Sequence, residues 1–219
     1  MIRLVDIHKT YKAGNNEIKA LDGVSLTIED NSFTAITGHS GSGKTTLLNI
    51  MAGYTPCDEG MYIYDNTIVN DYDPSTLTSF YRHEVGMIFQ EFHLLPYLNI
   101  YENIRLPLIY QRRKVERSFL DDYLNMVGLK GYGEFRPNQL SGGQKQRVAL
   151  ARTLVSGVRV VLADEPTGAL DRKNADNIVR LLSGLRDYGV TVIIVTHDEK
   201  IAARAERVIV MENGHVVSQ

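Results

Sequence analysis

Tryptophan is absent from this chain of 219 residues, and cysteine occurs once, at Cys57. A single thiol has no partner within the chain, so no internal disulfide braces the fold. That suits a reducing compartment. Long apolar runs are missing as well. Val192-Ile193-Ile194-Val195 is of strand length, whereas a membrane span needs about 20 such residues. Met1 to Asp6 holds no apolar stretch of signal-peptide length. The expectation is a chain that stays out of the membrane but can sit on it through a partner. Neither charge sign dominates, with 24 Lys and Arg against 26 Asp and Glu, a net charge of -2. Nucleic-acid binding needs a basic excess or stripe, so no nucleic-acid partner is expected. The one basic cluster, Gln111-Arg112-Arg113-Lys114, reads as a solvated helix face. What is present is ordinary globular usage, 43% hydrophobic and 23% charged residues. The length fits one domain, at most with a smaller subdomain inserted.

Short apolar runs alternate with helical patterns. Ser32–Thr37 reads as a strand and Lys44–Ala52 as the helix after it. Val85–Phe89, Val158–Ala163 and Val190–Thr196 read as buried strands, being continuous and rich in Val, Ile and Leu. Ala175, Ile178, Val179 and Leu182 fall at helical spacing between two of them. Strands separated by helices imply parallel pairing with both faces covered. Leu21–Ile28 instead alternates apolar and polar residues, as an antiparallel strand with one wet face would. Met61–Tyr64 and Arg207–Val217 look similar, the latter with a hairpin turn at Asn213-Gly214. Between about Asn99 and Pro137 the strand signal vanishes, and Val115, Phe119 and Val127 suggest an amphipathic helix. The expected fold is α/β, with a mostly parallel core sheet, an antiparallel β subdomain and an inserted α-helical subdomain. The insertion is placed at about 91–157, inside a core of about 1–90 and 158–219.

Gly38-His39-Ser40-Gly41-Ser42-Gly43-Lys44-Thr45 matches the pattern G-x-x-x-x-G-K-[ST] between an expected strand and helix. The pattern arises by chance in roughly 1% of chains this long, and the strand–helix setting lowers that further. The glycines let backbone N–H groups wrap phosphates, and the helix N-terminus adds a positive dipole end. Lys44 is placed to reach the β- and γ-phosphates, and Thr45 to offer its hydroxyl to Mg²⁺. Val160-Val161-Leu162-Ala163 ends in Asp164-Glu165, which puts two carboxylates at the carboxyl edge of a parallel sheet, where ligands bind. Two acids ending a strand can be a mere solvated turn. Beside a phosphate loop, Asp164 is expected to hold Mg²⁺ and Glu165 to act as general base or to orient water.

Leu140-Ser141-Gly142-Gly143-Gln144 narrows the field. Ser141 reads as a helix N-cap, the paired glycines permit close backbone approach, and Val148, Ala151 and Val155 mark one face of the helix that follows. That N-terminus is a second anion-binding surface. With this pentapeptide the chain resembles the ABC ATPase family, whose signature it matches, on the P-loop NTPase fold. The resemblance implies ATP and Mg²⁺ held between the phosphate loop of one domain and the signature of another, head to tail. The further family positions are occupied in order. Tyr11 matches the aromatic residue that stacks on adenine, and Gln90 the glutamine that senses Mg²⁺ and the attacking water. Asp171, in Ala169-Leu170-Asp171, matches the loop that crosses to the other subunit's site, and His197 the histidine at the γ-phosphate. His39 and Thr46 stand where the family often has Pro and Ser, and the backbone cradle, which includes Thr46, needs neither side chain.

Phe89-Gln90-Glu91-Phe92-His93-Leu94-Leu95-Pro96 and Tyr101-Glu102-Asn103-Ile104 are similar to one branch of that family. It contains macrolide exporters, lipoprotein-release ATPases, peptide-resistance transporters and the cell-division ATPase. Membership there implies a hydrolase paired with a copy of itself or a related ATPase subunit, at the cytoplasmic face of the membrane, driving an integral membrane subunit. The competing readings are a soluble non-transport ABC ATPase and a regulatory module that binds ATP without turnover. The single cassette without heptads weighs against the first, and Glu165 with His197 against the second. The connector from Gln90 to Leu106 is unusually apolar and is the expected dock for the membrane partner.

Overall fold

The computed structural model describes residues 1–14 and 16–219, with the side chain of Ala13 left out of account. Two long strands open the chain, β1 (Ile2–Ala13) and β2 (Asn16–Ile28). Then come β3 (Phe33–Thr37), the phosphate-loop segment and α1 (Lys44–Met51). β4 (Glu59–Tyr64) and β5 (Thr67–Ile68) lead to α2 (Pro74–His83) and β6 (Val85–Ile88). Helices follow as α3 (Ile100–Tyr110), α4 (Arg117–Met126) and α5 (Gly142–Leu154). β7 (Val160–Asp164), α6 (Arg172–Gly184), β8 (Thr191–Val195) and α7 (Glu199–Ala202) alternate, and β9 (Arg207–Glu212) and β10 (His215–Ser218) close the chain.

The strands form two sheets. One is antiparallel, in the order β2-β1-β4-β5. The other runs β10-β9-β3-β8-β7-β6 and is parallel except for the edge strand β10. Each inner strand of the second sheet is apolar on both faces, and its period of two sorts side chains into two cores. Phe33, Ala35, Val161, Ala163, Val192 and Ile194 face a core built with α3, α4, α5 and α6. Ile36, Val160, Leu162, Ile193 and Val195 face the other, filled by Leu47, Leu48 and Met51 of α1 and by the antiparallel sheet. The mostly parallel sheet, the antiparallel sheet and the intervening helices are those the residue pattern implies.

Several elements are set by local chemistry that periodicity does not report. α2 starts because Asp73 caps it, accepting from the Ser75 and Thr76 amides, with Pro74 in the first turn. α3 opens on a capping box. Asn99 accepts from the Glu102 amide at 2.8 Å, and Glu102 accepts from the Asn99 amide at 2.7 Å. Asn103 is fully buried and spends its amide on the connector ahead of α3, donating to Leu95, Leu98 and Asn99 carbonyls and accepting from the Leu95 amide. α4 lies where the spacing of Val115, Phe119 and Val127 placed a helix. Leu120 and Leu124 make its buried contacts, while Val115 and Val127 flank it.

Candidate functional site

β3, β6, β7 and β8 all end at one edge of the parallel sheet, and their carboxyl ends open on a cleft of about 540 Å³. β3 delivers the loop from Gly38 to Gly43 into it, and α1 leads away from Lys44. Gly43 is the N-cap of α1 at φ 101, and a Cβ there would meet the Ala20 carbonyl oxygen at 2.4 Å. No L side chain fits that turn. The loop is fastened from below by the β9–β10 turn, where the Gly214 amide donates to the Ser42 carbonyl at 3.1 Å.

Lys44 is nearly buried, and its Nζ donates to the Gly38 and His39 carbonyls at 2.8 and 2.7 Å and to Ser42 Oγ at 3.2 Å. Burial pushes its ammonium below the ordinary lysine value, and the carboxylates of Glu165 and Asp164 oppose that shift. Thr45 Oγ1 donates to Asp164 Oδ1 at 3.4 Å. Burial raises the Asp164 carboxyl above its ordinary value, the hydrogen bond from Thr45 works against that rise, and the Glu165 carboxylate adds to it. A cation would relieve this charge, and the donor set suits Mg²⁺: one hydroxyl, one carboxylate and room for phosphate oxygens. Among the described residues no cluster of three His, Cys, Asp or Glu side chains is arranged for a metal. Such a cage is the protein-only kind that Mg²⁺ seldom uses.

Glu165 follows β7 with φ 45, a left-handed backbone for a side chain that rarely takes it. Two hydrogen bonds hold it there. Its amide donates to the Val195 carbonyl, and its carbonyl accepts from the Gly168 amide, both at 3.0 Å. The side chain reaches His197, whose Nδ1 lies 2.8 Å from Glu165 Oε1. A carboxylate only accepts, so Nδ1 carries the proton of this bond. Gln90, just beyond β6, is exposed on the cleft wall and rests against Gly168. Tyr11 lines the far side, 39% exposed.

The cleft thus gathers Tyr11, Gly38, Ser40 to Thr46, Gln90, Asp164, Glu165 and His197. Ser141, Gly142, Gly143, Gln144 and Asp171 do not line it. They make a second surface. Ser141 caps α5, its Oγ accepting from the Gln144 amide, while Gln144 Oε1 accepts from the Ser141 amide. Asp171 caps α6 and holds Asn174 through Nδ2 at 2.6 Å. A Cβ on Gly143 would meet Asn174 Oδ1 at 2.3 Å, so the glycine is what lets α5 lie against α6. Ile18 and Ala20 of β2 also line the cleft, and Ile18 pairs across the sheet with Tyr11. The residue reading did not single them out. An isolated apolar residue in the polar run Asn16-Glu17-Ile18-Lys19 is the signal that marks Ile18.

Comparison with known proteins shows the family. The family model described as ABC transporter matches residues 21–168. The macrolide export ATP-binding/permease protein MacB of Shigella flexneri is 42% identical over 219 residues, covering 99% of this chain and 34% of that protein. MacB of Hyphomonas neptunium is 43% identical over 220 residues, with 100% and 34% covered. The chain therefore spans about a third of the length of the curated relatives it matches. Among solved structures, the dimeric ATP-binding cassette MJ0796 bound to ADP and Pi superposes with a TM-score of 0.90 at 42% identity. It covers 100% of this chain and 97% of that one. CbiO1 of Clostridium perfringens, part of the ABC transporter complex cbiONQ, gives 0.89 at 30% identity, with 100% and 87% covered. This chain belongs to the ABC transporter family, as an ATP-binding and ATP-hydrolysing cassette closely related to that of the MacB-type macrolide-export proteins.

Proposed function

We propose that the chain binds Mg-ATP between two cassettes, itself and either a second copy or a related subunit, and uses hydrolysis to drive an integral membrane partner. The observation that carries this reading is the separation of the two anion surfaces. The cleft holds the phosphate loop, whereas Ser141 to Gln144 head a different helix and line none of it. Head-to-tail pairing would set each signature over the other chain's cleft. Dimerisation of the MJ0796 cassette supports this arrangement.

In this reading the backbone from Gly38 to Thr46 and the side chain of Lys44 hold the phosphates, and Tyr11 stacks on the adenine. Thr45, Asp164 and Gln90 hold Mg²⁺. When bound, Mg²⁺ supplies charge to the phosphate oxygens where negative charge develops. Glu165 takes the proton of the attacking water, or orients that water, and His197, tied to Glu165, faces the γ-phosphate side. Ser141 and the amides of Gly142, Gly143 and Gln144 complete the site from the opposite chain, with Asp171 at the crossing loop. Residues at about 91–157 form a helical subdomain that turns against the core.

The membrane partner is expected at the connector after Gln90, on the cytoplasmic face. Leu95 and Tyr97 are 45% and 87% exposed there, while Ile100 is buried and Leu94 packs against the core. The apolar run thus divides into an inward set that closes the joint and an outward set free to meet a partner. No helix among the described residues is long and apolar enough to cross a membrane.

Complementation tests the pairing. Lys44→Ala and Ser141→Arg are each expected to be inactive alone. Mixed, they form a heterodimer with one site built from an intact loop and an intact signature, so ATP-dependent hydrolysis returns. A mixture as inactive as its components would overturn the head-to-tail reading.

A further inference from the structure

α5 does more than carry the signature at its N-terminus. Three of its side chains reach the backbone on both sides of Gln90. Thr153 Oγ1, whose one hydrogen is shared with the Ala149 carbonyl at 3.1 Å, lies 3.3 Å from the Met87 carbonyl near the end of β6. Gln146 Nε2 donates to the Phe89 carbonyl at 3.1 Å, one residue before Gln90. Arg152 donates from its two terminal nitrogens to the carbonyls of His93 and Phe92, at 2.6 and 3.0 Å, just after it. Gln90 therefore sits in a span gripped at both ends by one helix.

The grip is unusual chemically. Arg152 is half-buried and has no carboxylate within ion-pair distance among the described residues. A desolvated guanidinium normally sits against an acid. Here its fork is spent on two adjacent backbone carbonyls. Gln146 is fully buried and its Oε1 has no hydrogen-bond partner. A stranded acceptor costs stability, and the bond from Nε2 to the Phe89 carbonyl offsets that cost. Neither residue is what packing alone selects. Both place the same stretch of backbone.

We infer that Gln146 and Arg152 are positioning residues, which set Gln90 over the nucleotide cleft and tie its place to the orientation of α5. This assignment rests on Gln90 acting at the Mg-ATP site as proposed above. Its consequence is a link between two sites. The N-terminus of α5 is the surface that meets the partner cassette's nucleotide, and the far turns of the same helix hold Gln90 at the chain's own cleft. A shift of α5 on engaging one nucleotide moves the residue that faces the other.

The test uses the full chain with Arg152→Met, Arg152→Lys, Gln146→Leu, Gln90→Ala and the double variant Gln90→Ala/Arg152→Met. Hydrogen exchange without nucleotide reads the grip directly. Arg152→Met is expected to speed exchange at the amides from Phe89 to Leu95 at least about tenfold while α5 itself exchanges as before. With Mg-ATP, kcat is expected to fall on the order of tenfold to a hundredfold, the scale of misplacing a positioned group. ATP affinity should stay within about twofold. Arg152→Lys, which can serve one carbonyl, recovers part of the loss. In the Gln90→Ala background Arg152→Met adds nothing, because the group it positions is already gone. If the two losses add in full, or if exchange at Phe89 to Leu95 is unchanged, the inference is wrong. If Gln90→Ala alone leaves kcat at the wild-type value, the assignment of Gln90 fails, and the exchange result still decides the grip. Should Arg152→Met not fold, Gln146→Leu decides, since it removes one stranded acceptor while freeing another, the Phe89 carbonyl, and is expected to change the melting temperature little. Unaltered kcat and exchange in that folded variant would overturn the role of Gln146.

Discussion

Replacing Glu165 by Gln isolates one atom's chemistry. The amide keeps the shape of the carboxyl, and its oxygen can still accept from His197 Nδ1 in place of the 2.8 Å bond. The left-handed backbone at φ 45 is untouched, since it is held by the Val195 carbonyl and the Gly168 amide and not by the side chain. One electrostatic term changes in favour of the apo fold. The Glu165 carboxylate raises the Asp164 carboxyl, and that push disappears. The same change removes the attraction that supports the Lys44 ammonium, so the two effects oppose each other and the variant should fold about as well as the wild type. What it loses is the capacity to take a proton. A positioned general base contributes about 10²- to 10⁴-fold, or roughly 2.7–5.4 kcal/mol of barrier. Single-turnover hydrolysis by rapid quench should slow by that factor, with ATP binding retained. Bound ATP then persists, and size-exclusion chromatography should show a dimer with Mg-ATP and a monomer without it. Adding Ser141→Arg should abolish the dimer, because it puts bulk and charge where the second anion surface lies. Hydrolysis within about threefold of wild type would remove Glu165 from the role of base. A chain that stays monomeric at saturating ATP would show either that its partner is not an identical copy or that pairing requires the membrane subunit.

Three further outcomes follow from the same geometry. Lys44→Ala removes the ammonium that the loop carbonyls now hold. It should weaken ATP binding about tenfold to a hundredfold, the worth of a charged hydrogen bond of about 1.5–3 kcal/mol, with wild-type affinity by calorimetry as the contrary result. Asp164→Asn should raise the melting temperature of the nucleotide-free protein near neutral pH. Burial raises the Asp164 carboxyl, so its contribution to stability is full below the ordinary value of 3.8 and is lost as pH rises through its folded pKa. Asn never ionises and keeps that stability, so the gap between the two proteins should close as the pH falls. A gap that widens in acid contradicts the sign. Leu95→Glu puts a charge on an exposed position of the connector and should weaken co-purification with the membrane subunit while ATP affinity is unchanged. An undisturbed complex would place the dock elsewhere.

The parallel sheet was legible because its strands, including the edge strand β6, carry continuous apolar runs that pack on both faces. The phosphate loop was legible because backbone geometry dictates its glycines, as Gly43 shows, and the Asp164-Glu165 pair because two acids end an apolar strand in a chain that carries that loop. β1 was not singled out, because its apolar residues Ile2, Leu4 and Ile7 are interrupted by irregular pairing between Leu4 and Ile7 and between Ile7 and Lys9. α2 carries Phe80 as its one fully buried residue, with Leu77 and Tyr81 packed beside it, so its apolar face spans little more than one turn. Its start was readable only from Asp73-Pro74. The grip of Gln146 and Arg152 was invisible for a different reason. Both lie on a helix that any amphipathic reading accepts, and their acceptors are backbone carbonyls, which carry no residue identity.

In the proposed pairing, the same helix explains why one chain would be insufficient. For the signature to reach the phosphate loop within a single cassette, the start of α5 would have to leave its place. Val148, Leu150, Ala151 and Leu154 of that helix are buried in the core that the parallel sheet shares with α3, α4 and α6. Exposing Val148, Leu150 and Leu154 alone would cost roughly 1.5–3 kcal/mol each, and the bonds to Met87, Phe89, Phe92 and His93 would break as well. That total rivals the whole stability of a domain, about 5–15 kcal/mol. A second cassette brings its own signature with its core intact, at the cost of association alone. Packing that fixes α5 therefore favours the proposed completion of the site from outside, and, with the positioning role inferred for Gln146 and Arg152, it makes the orientation of α5 the quantity that ATP binding across the interface would report to Gln90.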